Sequence, residues 1–426
     1  MSLRRLSSKT LLFSAVLLTF APPLSAEAQD VDVPGNLTMH DSTDSTVGTV
    51  LKEGVPFLHN FGTSNTFLGS GAGNFTMSGS DNTATGVRAL QSNTIGVLNT
   101  ANGIGALQSN TTGSLNTATG GSVLQNNTTG HYNTASGYAA LQSNTTGSLN
   151  TATGLAALRD NTTGGYNTAS GFSALENNTT GSYSTASGYA ALYLNTTGND
   201  NTATGYNALL NNTTGGDNSA SGYGALQFNI TGNGNTATGY YALLNNMSGT
   251  FNTAIGYRAD VSRPDLMNAT AVGNGAVVDD SNKIRLGNAD VTIIEGQVPY
   301  TYTSDRNEKE NFRAVDADEA LIKLRGLAVT SWNYKGQDAK QFRHYGPVAQ
   351  DFFAAFGHDA VGTIGTPTTI TSGDLDGILM VAAQALERRT VELKKQIDAL
   401  RVANANLKAR LEALERRVGT EARAGF

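Results

Sequence analysis

The sequence has no cysteine and a single tryptophan, Trp332. Without thiols, neither disulfides nor thiolate-bound metals can staple the chain, so stability must come from backbone ladders, stacked side chains or association. Charge is scarce as well, with Asp, Glu, Lys and Arg making up 15% of 426 residues. The formal net charge is −6, and the Lys and Arg residues concentrate in the C-terminal third beside equally many acids, which gives no reason to expect nucleic acid. Apolar runs long enough to span a membrane are missing. The run Leu11 to Leu18 falls short of the ~20 residues a spanning helix needs. It follows Arg4 and Arg5 and precedes Ala26-Glu27-Ala28, so residues 1–28 read as a secretory signal peptide. The mature chain, from Gln29, is expected to be secreted or held at the cell surface, with no transmembrane helix. Residues 29–64 carry no strong periodicity. Val50-Leu51 hints at a short strand there, and the role of the segment stays open.

What the sequence does have is glycine and a period. Forty-nine glycines are too many for an ordinary enzyme core. Asn65-Thr66, Asn82-Thr83, Asn99-Thr100 and Asn116-Thr117 stand 17 residues apart, and the same phase runs on to Asn252-Thr253, twelve copies without a slip. The consensus N-T-A-[ST]-G-Y-x-A-L-x-x-N-T-T-G-x-x is the mark of a solenoid, whose units bury their apolar faces only against their neighbours. Two glycines, several Asn and several Thr per unit would cost a helix about 0.5–1 kcal/mol each, so the unit must be strands and turns. Asn110-Thr111-Thr112-Gly113 reads as a turn with Gly available for positive φ. The strongly apolar invariant is one Leu per unit, from Leu90 to Leu243, which makes a thin core and favours several chains packed around one axis. The Asn-x-Thr sequons are better explained by turn chemistry than by glycosylation.

Asn252-Thr253-Ala254-Ile255-Gly256, followed by Asn268 to Ala276, resembles the head motifs of YadA-like trimeric adhesins. The resemblance covers residues 65 to about 276. It implies an all-β repeat solenoid, a left-handed parallel β-roll, with three chains sharing an axis. The chain departs from that family in its 17-residue repeat and in lacking C-terminal membrane-barrel strands. Residues 65–259 are thus the roll, and 260–303 an adhesin-head-like motif with a β connector, Ser281 to Val298.

Ser304-Asp305-Arg306-Asn307-Glu308-Lys309-Glu310-Asn311-Phe312 resembles the start of the C-terminal intramolecular chaperone domain of phage tailspikes, tail fibres and endosialidases. Leu324 to Tyr334, His344 to Phe352 and Gly373 to Leu379 follow in the order and spacing of that family. The resemblance implies a small α+β domain over 304–426 that cuts its own chain beside the motif serine, acting once in cis. It assigns Ser304 as nucleophile and Lys309 as general base; Asp305 and Arg306 belong to the same motif, where only a supporting, orienting role is argued for them, and His344 reads more readily as a structural histidine than as a second base. The chemistry is sound in principle: a serine hydroxyl is a weak nucleophile, and a lysine amine whose pKa is lowered by burial can take its proton. No cofactor and no metal enters this scheme.

Leu386, Thr390, Leu393, Ile397, Leu400, Asn404, Leu407, Leu411, Leu414 and Val418 alternate at spacings of four and three, a parallel coiled coil over about 384–418. Leucine at every d position with a polar a residue, Asn404, favours a dimer by rule of thumb, whereas the family resemblance implies a trimer. Taken together, the sequence describes an exported homotrimeric surface fibre, adhesin-like and structural, whose C-terminal chaperone promotes assembly and then cleaves itself off next to Ser304. Its partners are its own copies and an unidentified host surface or glycan ligand. The competing reading is an ice- or surface-binding Thr-rich solenoid with incidental processing, because Thr83-Ala84-Thr85 and its equivalents resemble Thr ladders. A glycan-degrading enzyme fits poorly. It needs paired carboxylates, and residues 65–250 hold only scattered acids such as Asp81, Asp160, Glu176, Asp200 and Asp217.

Overall fold

The computed structural model describes residues 40–291, 294–295, 304–335, 337–358 and 362–424. The signal-peptide residues, the start of the 29–64 segment and most of the residues just before Ser304 lie outside that set. The chain divides into two units, Met1–Val291 and Thr292–Phe426.

In the first unit each repeat contributes one three-residue strand, from Thr66–Leu68 to Thr253–Ile255. Neighbouring repeats pair parallel and in register, as Thr134–Ser136 does on Thr151–Thr153 with Ala135 opposite Ala152. Strands Thr270–Val272 and Ile284–Leu286 extend the same sheet to sixteen strands. At the other end, β1 (Val50–Lys52) and β2 (Val55–His59) form an antiparallel hairpin, and β2 pairs antiparallel with Thr66–Leu68. The sequence left this segment without a role. It covers the first edge of the roll, where an open strand would invite pairing with other chains. His59 completes the cap, donating from Nε2 to the Ala72 carbonyl at 2.7 Å and stacking on Phe75.

The middle Ala of the repeat strands is buried while its neighbours face out. The Leu column from Leu90 to Leu243 is fully buried, and its backbone holds φ of 49–54°. That left-handed conformation costs a non-glycine residue roughly 1–2 kcal/mol. Burial of the leucine side chain stabilises by about 1.5–3 kcal/mol, so the turn is tolerable where it aims Leu inward. The expectation that Gly113 supplies positive φ does not hold, since the glycines at its position avoid that region. Space is the reason for glycine there. A Cβ on Gly147 would strike both the Gly164 carbonyl and the Asn144 amide oxygen.

The core is not apolar alone. Asn144 and its equivalents are fully buried, and from Asn110 onward each amide Nδ2 donates to the Oδ1 one repeat earlier, Asn144 to Asn127 at 2.7 Å. The same Nδ2 donates to the Gly147 carbonyl at 2.9 Å. A second ladder runs through Asn82, Asn99, Asn116, Asn133 and Asn150, with links of 3.1–3.2 Å. Burial accounts for the asparagines of the Asn-Thr-Thr-Gly turns, whose side chains are closed to a glycan in the folded roll, whereas Asn126 and Asn268, also in sequons, are exposed. Outside, Phe172, Tyr189, Tyr206, Tyr223, Tyr240 and Tyr257 stack face to face at 4.9–5.2 Å. That spacing matches the ~4.8 Å between strands and fixes one coil per repeat.

The second unit is small. Helix α1 (Ala317–Gly326) is capped by Asp316, whose carboxylate accepts from the backbone N–H groups of Asp318 and Glu319. Strand Thr330–Trp332 pairs antiparallel with His344–Gly346. Helix α2 (Ala349–Phe356) buries Phe352 and Phe356, and helix α3 (Ser372–Ala424) buries Ala382 and Ala385 near its start. Arg389 on α3 pairs with Asp318 on α1 at 3.0 Å. Further along α3, Leu393, Ile397, Leu400, Leu407, Leu411, Leu414 and Val418 form an exposed apolar stripe. Among the described residues, the part of this 53-residue helix beyond Arg389 carries that stripe facing solvent.

Candidate active site

Ser304 and Lys309 are five residues apart, and an extended backbone would separate their Cα atoms by about 17 Å. A single 3-10 turn, Arg306–Glu308, closes that gap. Asp305 caps the turn: its Oδ1 accepts from the Asn307 backbone N–H at 2.9 Å and from Asn307 Nδ2 at 3.1 Å. The turn then returns Lys309, whose Nζ donates to Ser304 Oγ at 2.5 Å. Asn311 at φ 59° bends the chain a second time, and the Arg306 guanidinium lies 4.8 Å from the Phe312 ring centroid. The nine residues from Ser304 to Phe312 thus make a self-contained loop.

A serine hydroxyl held against a lysine amine can react as a nucleophile once the amine is neutral, with the amine taking the hydroxyl proton. The sequence led us to expect a buried lysine. In this single chain Ser304 and Lys309 are both exposed, because the small unit has no second layer over this loop among the described residues. Asp305 and Arg306 lie within the same loop, on the turn that joins the two. His344 sits elsewhere in the unit: its ring stacks on Trp332 at 4.7 Å, and its Nε2 lies 3.2 Å from Gln337 Oε1. These contacts are with Trp332 and Gln337, not with Ser304 or Lys309.

The roll offers little chemistry of its own. Asp160 and Glu176 approach one another only through Arg159, which pairs with both. Both carboxylates are engaged by that one guanidinium, so they offer no free carboxylate pair. Burial pushes the Asp260 carboxyl up to about 6, opposed by hydrogen bonds from the Val261 and Asn245 backbone. Asp260 occupies the Leu position of the last repeat, a substitution that the sequence shows but whose burial it does not. Among the described residues no cluster of His, Asp and Glu could hold a metal, and no helix is long and apolar enough to cross a membrane. The outward strand positions bear one regular column, Thr at every repeat rung except Ser219. The second column mixes Leu68, Thr85, Asn102, Ser136 and Ile255, so this face does not present a two-column hydroxyl grid.

Residues 304–361 match the sequence family described as chaperone of endosialidase. The match begins at Ser304 itself and follows the solenoid, as in proteins of the tail-fibre type. No curated protein matches the chain.

Proposed function

We propose that the chain is an exported fibre protein that assembles as a homotrimer and then releases its chaperone by cleaving next to Ser304. The observation that carries this reading is the Lys309 Nζ to Ser304 Oγ hydrogen bond at the first residue of the chaperone match. Neutral Lys309 accepts the Ser304 proton as Oγ attacks the adjacent peptide carbonyl. The C–N bond breaks, the proton passes to the leaving amine, and water hydrolyses the resulting ester, restoring the serine. The scissile bond belongs to the same chain, so proximity replaces substrate binding.

Assembly supplies what the single chain lacks. The α3 stripe is an unpaired coiled-coil seam, and three copies gathered through it raise the local concentration of the rolls. Parallel pairing over a long roll folds slowly, so a seam that sets register first has a clear use. Association also covers the exposed dyad, and burial is what lowers a lysine pKa. Release then leaves a fibre whose assembly nucleus is gone, which slows its unfolding. Residues 1–28 direct export, and the exposed face of the roll is the part that meets a host surface or glycan. The test is the size of Ser304→Ala in solution. A full-length trimer supports the reading, and a full-length monomer contradicts it.

A further inference from the structure

We infer that Asp305 is the positioning residue of the dyad, acting as a hydrogen-bond acceptor and not through its charge; this rests on the Ser304–Lys309 reading above. Three features point to it. The turn Arg306–Glu308 is what brings Lys309 back to Ser304, and none of its own residues is buried. Its backbone bonds, Glu308 N–H to the Asp305 carbonyl and Lys309 N–H to the Arg306 carbonyl, are both long at 3.3 Å. The two bonds to the Asp305 carboxylate, at 2.9 and 3.1 Å, are the shorter ones. With its cap removed, an exposed three-residue turn held by weak bonds opens to extended chain, and Lys309 leaves Ser304.

Charge would work against the chemistry. A carboxylate near Lys309 favours the protonated amine, which cannot act as a base. Asp305 spends its Oδ1 on Asn307 instead, and the ion pairs found among the described residues include none between Asp305 and Lys309. Arg306, Glu308 and Glu310 are the other charged groups of the loop, all exposed, and Arg306 lies over Phe312. An asparagine at 305 retains a carbonyl oxygen for the Asn307 N–H, whereas alanine retains nothing.

The test follows processing of the full chain over time as a function of pH. Asp305→Asn is expected to cleave within about threefold of wild type, with the rising limb of its pH–rate profile unmoved. Asp305→Ala is expected to be about 10–100-fold slower, the range that misplacing a catalytic group by about an ångström produces. Asn307→Ala, which removes the weaker of the two bonds, is expected to lose only two- to threefold. Sizing and helix content of Asp305→Ala separate slow chemistry from failed assembly. The proposal is overturned if assembled Asp305→Ala cleaves like wild type. It is equally overturned if Asp305→Asn is as slow as Asp305→Ala, or if its pH limb shifts, since charge would then be the active property. Ser304→Ala run in parallel keeps the readings apart: if that variant still cleaves, the dyad itself is wrong.

Discussion

The Asn144 amide makes bonds on both sides within the roll, to Asn127 Oδ1 and from Asn161 Nδ2, besides the Gly147 carbonyl. Replacing it with alanine leaves buried donors and acceptors unpaired, a cost of about 1–3 kcal/mol for each group left without a partner. Asn144→Ala should therefore destabilise the roll by about 2–4 kcal/mol in denaturant melts of the folded protein. Exposed Thr146→Ala should stay within about 0.5 kcal/mol. The chain contains its own comparison. Ser184 stands where the second ladder wants asparagine, and its Oγ accepts only a long 3.3 Å bond from the Asn201 N–H. Ser184→Asn should complete the ladder and add about 0.5–1.5 kcal/mol. These amides were in plain sight in the sequence as Asn-Thr-Thr-Gly, and turn chemistry was the natural reading. Composition does not reveal that an asparagine points inward, because only stacking with identical neighbours offsets the cost of burying it. Leucine at positive φ was equally illegible, since nothing in local preference predicts it.

At the scale of elements, the two ends of the roll should respond to pH in opposite directions. His59 in the β2 cap has its pKa lowered, chiefly by burial and against the Ala72 bond. A histidine held neutral contributes stability above its unfolded value of 6.5, and loses it as pH falls below that value. Asp260 at the far end has its carboxyl raised from 3.8 to about 6. There the folded state holds more protons than the unfolded chain between those values. Stability is complete below about 3.8 and lost as pH rises through 6, on the order of 3 kcal/mol in all. Hydrogen exchange should show the β2 cap opening more at pH ~5 than at pH ~7, and the strand at Asp260 opening more at pH ~7. Asp260→Asn should remove the second effect and leave the first. The repeat period made the strands legible from sequence, and the coiled-coil heptads were as clear. The hairpin cap was not, because Val50 to His59 has no periodicity and acquires its role only from the edge it covers.

At the scale of the whole molecule, the chain holds a repeat roll poor in charge and a charged helical unit, and within the second the family match begins where a serine touches a lysine. The sequence motif picks out both residues. Their exposure was not legible, because burial of a loop depends on what packs over it and not on the motif itself. If association through α3 completes the site, weakening the seam should slow the chemistry without touching the loop. Leu400→Asp with Leu407→Asp is expected to give a smaller species on sizing and to slow cleavage by at least about tenfold. A variant that stays monomeric and cleaves at the wild-type rate would separate processing from assembly. The most direct test of the account is intact-mass measurement of purified full-length chain over time, beside Ser304→Ala and Lys309→Ala. The account predicts two wild-type products whose junction lies next to Ser304, formed at a rate that does not change on dilution of the assembled protein, and one uncut mass for each variant. A single full-length wild-type mass, or cleavage of the variants at the same bond, would contradict it.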